Sequence, residues 1–265
     1  MLQAVSIGKN ILNMMMTTSR GGGIKSRIKA HKVISRVHPG AKLNFLTARA
    51  EKMIDTTMRL YGHKYDTQDI HVYILGGLCD ITHKISEGWY TECIYTENTE
   101  DTIRRVTGEF DKCAEKIKKK GAKPIFCTIT SCDIAKYNTH LLTTRKTYTL
   151  HHQHNYAEMQ KNLEIAIKAI NAHIVTINQN NHASTPYTHS EVHKRRGSKP
   201  SYFKWVYDRL HDGVHGTHET KNGWAHIIGR AMTANKTRIT TDTDYDECKS
   251  PPRSWQSEKR IKLSI

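Results

Sequence analysis

The stretch "ILNMMMTTSRGGG", residues 11–23, decides the fold, because a short apolar run ends there in a serine and three glycines. The run ILNMMM (11–16) is apolar at nearly every position rather than at alternate positions. A strand with this pattern has both faces covered, as in a parallel sheet between two layers of helices. The stretch therefore predicts a buried β-strand followed by a tight turn at Ser19.

Four further runs have the same character: KVISRV (32–37), IHVYIL (70–75), KPIFCTI (123–129) and HIVTI (173–177). Between them, apolar residues recur at helical spacing and predict helices over roughly 46–61, 99–120, 156–170 and 219–233. This alternation predicts an α/β fold, a three-layer α/β/α sandwich with a five-stranded parallel sheet in the flavodoxin-like order 2-1-3-4-5. Residues 133–154 and 178–206 are predicted to be long irregular connections.

The chain of 265 residues has the composition of one substantial globular domain, with 37% hydrophobic and 25% charged residues. We expect this domain to span residues 1–237, because residues 238–265 lack periodicity and contain a Pro pair. That basic segment is expected to be a flexible C-terminal tail. No apolar run approaches a membrane span and the N-terminus lacks the apolar region of a signal peptide, so a cytoplasmic or nuclear location is expected.

Cysteine and histidine are the residues that a metal site would use. The six cysteines are scattered without CxxC spacing, which argues against a disulfide scaffold. Seventeen histidines invite a metal-site hypothesis, with HHQH (151–154) or His211, His215 and His218 as ligands. Neither group has a recognised zinc spacing, and adjacent histidines in a polar loop are more often exposed to solvent. We therefore expect no metal and no other cofactor.

Basic residues outnumber acidic ones, 41 against 25, and the formal net charge is +16. Such an excess attracts RNA or another polyanion through counterion release. The best candidate for this contact is HKRRGSKPSYFKW (193–205), where aromatic rings that can stack on bases lie among basic side chains. The candidate residues are Lys194, Arg195, Arg196, Lys199, Tyr202, Phe203 and Lys204. A solvated basic surface without a partner is the alternative for this segment.

Residue types that can carry out catalysis follow the strand ends at one predicted edge of the sheet. In an open parallel sheet, ligands bind beyond the carboxyl ends of the strands where the winding direction reverses, here between the first and third strands. Ser19 follows the first strand, and Gly76 and Gly77 follow the third. Asp212 and His215 stand three residues apart before the last predicted helix. A carboxylate there can fix the imidazole tautomer and leave Nε2 free as a base, so a Ser-His-Asp set is a candidate.

Two alternatives remain open for these positions. Ser19 could cap a helix that starts near Gly23, which is an ordinary role for a serine in a turn. Asp208 and His211 have the same spacing as the preferred acid and histidine and form a rival pair.

The motifs resemble those of the SGNH (GDSL-type) hydrolase superfamily, over about residues 11 to 233. Members of that family carry Gly-Asp-Ser after the first strand, Gly after the second, Gly-x-Asn-Asp after the third and Asp-x-x-His before the final helix. The corresponding segments here are Thr17-Thr18-Ser19, Gly40 in HPGAK, Gly77-Leu78-Cys79-Asp80 and Asp212-Gly213-Val214-His215. Two positions depart from the family pattern, since Thr17-Thr18 replaces Gly-Asp and Cys79 replaces Asn.

This resemblance implies a serine esterase or acyl hydrolase that forms an acyl-enzyme with a small acyl-ester substrate. Ser19 would be the nucleophile, His215 its general base and Asp212 the residue that orients His215. The oxyanion hole would be formed by Ser19, Gly40, Gly77 and Cys79. The thiol at the last of these is a weaker hydrogen-bond donor than the usual amide.

The resemblance also extends to retrotransposon-encoded and Oskar-like SGNH domains. It therefore implies an alternative function, in which a catalytically weak or inactive domain binds RNA. A purely structural or assembly role is a third possibility.

Overall fold

The computed structural model describes residues 11–29, 31–87, 90–95, 97–145, 155–195 and 203–237. The predicted tail, 238–265, lies outside the described residues. The strands are β1 (Leu12–Thr17), β2 (Val33–Val37), β3 (Ile70–Leu75), β4 (His83–Glu87), β5 (Tyr90–Ile94), β6 (Lys123–Phe126), β7 (His193–Arg195) and β8 (Phe203–Trp205). The helices are α1 (Leu43–Tyr61), α2 (Leu78–Ile81), α3 (Thr99–Lys119), α4 (Ile134–Arg145), α5 (Tyr156–Asn180) and α6 (His218–Thr237). Within the described ranges, no helix is both long enough and apolar enough to cross a membrane.

Four parallel strands form the main sheet, in the order β2-β1-β3-β6. All six residues of β1 and all six of β3 are buried, as their mostly apolar sequences predict. The α/β class, the parallel sheet and the order of the first four predicted strands are therefore confirmed. The predicted total of five strands is wrong, because the described part of the sheet has four.

Helices cover both faces of the sheet. Met14 and Met16 of β1 pack in one core with apolar residues of α1, α3 and α5. Met15 packs in a second core on the opposite face, where it joins Tyr73 of β3 and Trp224 of α6. Successive side chains of a strand point to opposite faces, so the three consecutive methionines supply both cores. The sheet is thus the middle layer of the domain.

The run HIVTI (173–177), predicted to be the fifth strand, lies inside α5, a helix of 25 residues. Ile170, Ile174 and Ile177 have helical spacing and are all buried. A short apolar run of β-branched residues is compatible with either a strand or a buried helical stripe. Here the long periodic segment that precedes the run continues through it, and the helix is the result.

Two asparagines of α5 bind the free edge of β6 and the loop beyond it, where a fifth strand would otherwise pair. Asn178 accepts a hydrogen bond from the Phe126 N–H at 2.9 Å and donates one to the Phe126 C=O at 2.8 Å. Asn171 makes the same pair of bonds with Ile129, at 2.6 and 2.9 Å. Buried backbone groups need such partners, and the side-chain amides supply them. The helix therefore terminates the sheet at β6.

The segments predicted to be irregular contain regular elements. Helix α4 lies within 133–154, and the β7–β8 hairpin lies within 178–206. The β4–β5 hairpin was not predicted. Asn138 of α4 holds this hairpin, because it accepts from the Cys93 N–H at 2.8 Å and donates to the Cys93 C=O at 2.9 Å.

Asp80 joins the loop after β3 to the start of α1. Both of its carboxylate oxygens lie within hydrogen-bonding distance of the Leu43 amide nitrogen, at 3.1 and 3.0 Å. Burial raises the pKa of Asp80 to about 6, and the bond from Leu43 opposes this rise. A carboxylate at this position also interacts favourably with the helix dipole. The loop that carries Gly77 and Cys79 is therefore anchored to α1.

We expect Asn178→Ala to lower the free energy of unfolding by about 3 kcal/mol, because it leaves the buried N–H and C=O of Phe126 without partners. Urea denaturation measures this loss. The control is Asn180→Ala, which removes an exposed asparagine from the same helix and should change the free energy by less than about 0.5 kcal/mol. Equal losses in the two variants would contradict the role assigned to Asn178.

Candidate active site

Ser19 begins a tight turn at the carboxyl end of β1. The chain leaves the strand through Thr18, whose N–H donates to the Leu75 C=O of β3 at 3.2 Å. Ser19 then opens a 3₁₀ turn that ends at Gly21. A Cβ atom on Gly21 would lie 1.8 Å from Thr17 Oγ1, so this turn requires a glycine. The hydroxyl of Ser19 is consequently presented at the edge of the sheet.

Asp212 shapes the turn that carries His215. Its Oδ1 atom accepts hydrogen bonds from the Val214 N–H at 2.9 Å and the His215 N–H at 2.6 Å. Aspartates form turns of this kind with the backbone that follows them. Gly213 between them has a φ of +87° and would, with a Cβ atom, lie 2.7 Å from the Asp133 carbonyl oxygen. The sequence of this segment thus specifies its local conformation.

This turn brings His215 to Ser19. The Nε2 atom of His215 lies 2.9 Å from Ser19 Oγ, and its Nδ1 atom lies 2.5 Å from Asp212 Oδ2. Burial alone would raise the pKa of Asp212, but hydrogen bonds from the His215 ring and from the His215 and Val214 amides outweigh it and hold that pKa well below its usual range. An ionised carboxylate only accepts, so we assign the proton of the neutral imidazole to Nδ1, which leaves Nε2 to accept from the Ser19 hydroxyl.

Helix α6 and the segment before it hold the acid-histidine turn in place. Trp224 is 1% exposed and its Nε1 donates to the Thr188 C=O at 3.0 Å. Its ring packs against Gly216, where a Cβ atom would approach the ring to 3.0 Å. Thr220 Oγ1 donates to the Arg209 C=O at 2.8 Å. The position of the imidazole is therefore set by the packing of α6.

The four residues predicted to form an oxyanion hole follow three adjacent strands. Ser19 follows β1, Gly40 follows β2, and Gly77 and Cys79 follow β3. Gly40 and Gly77 have φ values of +70° and +101°, and a Cβ atom on Gly77 would lie 2.7 Å from Ile129 Cδ1. Cys79 is half-buried in α2, and burial raises the pKa of its thiol. All four lie at the sheet edge that carries the Ser19–His215 contact.

A buried arginine beside Ser19 was missed in the sequence. Arg20 is 6% exposed, and its guanidinium donates to the Thr130 C=O and, at 3.2 Å, to the Ser131 C=O. Its Nε atom is buried without a hydrogen-bond partner among the described residues. Burial lowers the pKa of Arg20 from its ordinary value. The sequence did offer one signal for Arg20. It is the one charged residue of the segment 17–23, whose other residues are small and uncharged.

Two alternatives were open, Ser19 as a helix cap and Asp208 with His211 as the acid-histidine pair, and their residues do not make the contacts that these roles require. The segment near Gly23 forms short 3₁₀ turns rather than a helix that Ser19 could cap. Asp208 is exposed, and no hydrogen bond or ion pair joins it to His211 in the described ranges. The His211 ring instead contacts the His215 carbonyl oxygen, at 3.2 Å from Nδ1.

Possible metal ligands occur beside the candidate nucleophile. His211, Asp212 and His215 offer ligand atoms that lie within 4.8 Å of one another. Both carboxylate oxygens of Asp212 and both ring nitrogens of His215 already have hydrogen-bond partners, which a metal ion would have to displace. His218 contacts the Arg27 side chain at 3.1 Å instead. The HHQH segment lies outside the described residues.

Part of the predicted nucleic-acid-binding segment forms the β7–β8 hairpin. Lys194 pairs with Lys204 across the two strands, and Arg195 pairs with Phe203. Arg196, Lys199 and Tyr202 lie outside the described residues.

The base of this hairpin is linked through Tyr207 to the loop that follows β6. The Trp205 ring stacks on Tyr207 with 6.3 Å between the ring centroids. Tyr207 in turn donates from its hydroxyl to Ser131 Oγ at 3.0 Å, and Ser131 also accepts from Arg20. The hairpin thus stands beside the loop that follows β6.

Comparison with known proteins identifies the fold. No protein-family model and no curated protein matches the sequence. The GDSL-like lipase of Bacteroides thetaiotaomicron matches in structure with a TM-score of 0.50 and 15% identity, over 90% of this chain and 93% of the lipase. A member of the lipolytic G-D-S-L family from Veillonella parvula matches with a TM-score of 0.51 and 10% identity, over 84% of this chain and 99% of that one.

A third solved structure, an acetyl xylan esterase, matches with a TM-score of 0.50 and 13% identity, over 83% of this chain and 99% of the esterase. These matches extend over most of the chain at low sequence identity, which is the relation expected of a divergent example of a shared fold. The resemblance inferred from the motifs is thereby confirmed for the architecture. This chain has the fold of the SGNH, or GDSL-type, lipases and esterases.

Proposed function

We propose that this protein is a serine hydrolase of the SGNH type that cleaves an ester or acetyl group through an acyl-enzyme. The observation that carries the proposal is the chain of hydrogen bonds from Ser19 Oγ to His215 Nε2 and from His215 Nδ1 to Asp212. A hydroxyl, an imidazole and an ionised carboxylate in this order are the groups that activate a serine nucleophile. The shared fold supports the same reaction class.

The first half of the proposed reaction forms the acyl-enzyme. Ser19 Oγ attacks the carbonyl carbon as its proton moves to His215 Nε2, and the ionised Asp212 stabilises the resulting imidazolium. The carbonyl oxygen becomes an oxyanion, which accepts hydrogen bonds from backbone N–H groups near Ser19, Gly40 and Gly77. The carbon–oxygen bond to the alcohol then breaks, and the leaving oxygen takes the proton from Nε2.

The second half releases the acid. Water gives a proton to His215 Nε2 and attacks the acyl carbon, and the Ser19 oxygen leaves with the proton that the imidazolium returns. Cys79 supplies a weaker donor to both oxyanions than an amide does, and the loss of one such donor costs on the order of 100- to 1,000-fold in rate. We therefore propose that the thiol at position 79 slows the esterase unless another group of the site stabilises the oxyanion.

Ser19→Ala should abolish labelling by a fluorophosphonate probe and lower the hydrolysis of short p-nitrophenyl esters by on the order of 10⁴-fold or more, because the nucleophile is removed. Labelling is read by mass spectrometry of the modified peptide. Ser26→Ala is the matched control, since Ser26 is exposed and its hydroxyl donates only to the Gly23 C=O. A well-folded wild-type protein that neither hydrolyses the esters nor reacts at Ser19 would overturn the proposal.

Asp212→Asn should lower kcat by on the order of 10⁴-fold, because an amide N–H at this position favours the imidazole tautomer with its proton on Nε2. That tautomer cannot accept the Ser19 proton. Steady-state kinetics measure the change, and Asp208→Asn is the control because Asp208 is an exposed acid of the rival pair. A larger loss in the control than in Asp212→Asn would transfer the orienting role to Asp208.

We also propose, as a second candidate function, that the β7–β8 hairpin binds single-stranded RNA. The observation that favours it is the cross-strand pair of Lys194 and Lys204, two like charges directly opposite each other. Such a pair destabilises a hairpin unless an anion neutralises it. Glu191 compensates in part, 3.8 Å from Lys194. The phosphates of RNA would complete the compensation, and the overall charge of +16 would strengthen the attraction.

RNA binding should weaken steeply as salt rises, and Lys204→Gln should reduce the slope of log affinity against log salt by about 1. Fluorescence anisotropy with a labelled single strand measures both quantities. The control is Lys118→Gln, which removes an exposed lysine of α3, and Ser19→Ala should bind as the wild type does. Equal slopes in the two lysine variants would remove the hairpin from consideration.

A further inference from the structure

Arg20 carries a positive charge into the interior of the protein, directly after Ser19. It is 6% exposed, and no ion pair joins it to a carboxylate within the described part of the chain. A guanidinium stays protonated even when buried, because its ordinary pKa lies so far above neutrality. Asp212 interacts with this charge electrostatically, without a direct ion pair. A buried charge acts strongly on the groups around it, since little water screens it.

The path of the Arg20 side chain shows which parts of the site lie near its charge. Arg20 leaves the backbone at the exit of β1, and its guanidinium is held by the carbonyl groups of Thr130 and Ser131 beyond β6. Strand β3 lies between β1 and β6 in the sheet. The side chain therefore passes the exit of β3, whose loop carries Gly77. A small cavity lined by Arg20, Gly76 and Thr130 lies along this path.

We propose that Arg20 is an electrostatic residue of the hydrolytic reaction, whose buried charge stabilises the oxyanion that forms between Ser19 and the loop after β3. The inference rests on the proposed function and explains how the site can work with a thiol at position 79. In the family pattern an Asn stabilises the oxyanion with an amide N–H, whereas here Arg20 lines a cavity with Gly76 and Leu78 of the same loop. The charge of Arg20 acts electrostatically over a distance, so Arg20 need not contact the substrate.

Neighbouring groups already respond to this charge. Burial raises the pKa of the Cys79 thiol, and Arg20 is the strongest influence in the opposite direction. Burial likewise raises the pKa of the Cys132 thiol, which Arg20 also opposes. The charge of Arg20 thus offsets part of the cost that burial imposes on a negative charge near the exits of β3 and β6. The proposal extends this effect to an oxyanion formed at the same edge.

The experiment compares Arg20→Gln, which removes the charge, with Arg20→Lys, which keeps it and loses the planar donor. We expect Arg20→Gln to lower kcat by about 10- to 100-fold with KM changed by less than about 3-fold, since the effect is confined to the transition state. Arg20→Lys should stay within about 5-fold of the wild-type kcat, because it retains the charge.

The control is Arg49→Gln, which removes an exposed arginine of α1 and should leave both kcat and KM unchanged. Melting temperatures of all variants are measured in parallel. Equal losses of kcat in Arg20→Gln and Arg20→Lys would overturn the inference while leaving the hydrolase intact. A wild-type protein without esterase activity would instead count against the proposed function itself.

A second measurement applies if Arg20→Gln does not fold. Cys79→Asn introduces the amide donor at the position where related sequences carry it. If Arg20 already stabilises the oxyanion, this change should raise kcat by less than about 10-fold, well below the 100- to 1,000-fold that a missing donor typically costs. A gain of about 100-fold or more would mean that the charge does not compensate for the thiol.

Discussion

The parallel pairing of β1 with both of its neighbours is the constraint on which the rest of the structure depends. Thr17 pairs with Val37 of β2 on one side and with Leu75 of β3 on the other, so the three strands end at the same level. The His38 N–H extends the pairing by donating to the Thr17 C=O at 2.7 Å. A slip of one residue would exchange the faces of β1 and separate its side chains from their cores. With the observed register, the loops that follow the strands open at a common edge, where Ser19 meets His215.

The sequence predicts this sheet well where uniform apolar runs alternate with amphipathic helices. It fails at HIVTI (173–177), because four consecutive β-branched residues fit either period. What decides between helix and strand is the pair Asn178 and Asn171 of α5. Their hydrogen-bond partners, Phe126 and Ile129, lie 52 and 42 residues away in the chain. Local patterns carry no information about such distant hydrogen bonds. The short hairpins were missed for a related reason, since each is held by contacts with other elements rather than by a pattern of its own.

The candidate site also has some features that the local sequence predicts and others that depend on distant contacts. The Asp212 turn depends on hydrogen bonds within four residues, so its conformation can be predicted from its amino-acid sequence. The meeting of Ser19 with His215 across 196 residues could be expected only because the order of parallel strands fixes which loops are neighbours. The direction of the Arg20 side chain could not be predicted from the sequence. It depends on the carbonyl groups of Thr130 and Ser131, whose positions follow from the packing of β6 against α5.

The asparagine bonds to β6 also bear on how this protein can associate with itself. An edge strand usually offers a row of unpaired amide and carbonyl groups, and another molecule can use them to add a strand of its own. At β6 these groups are occupied at Phe126 by a side chain from the same molecule. Addition of a strand from a second molecule to the main sheet is therefore expected at β2 (Val33–Val37), the opposite edge, rather than at β6.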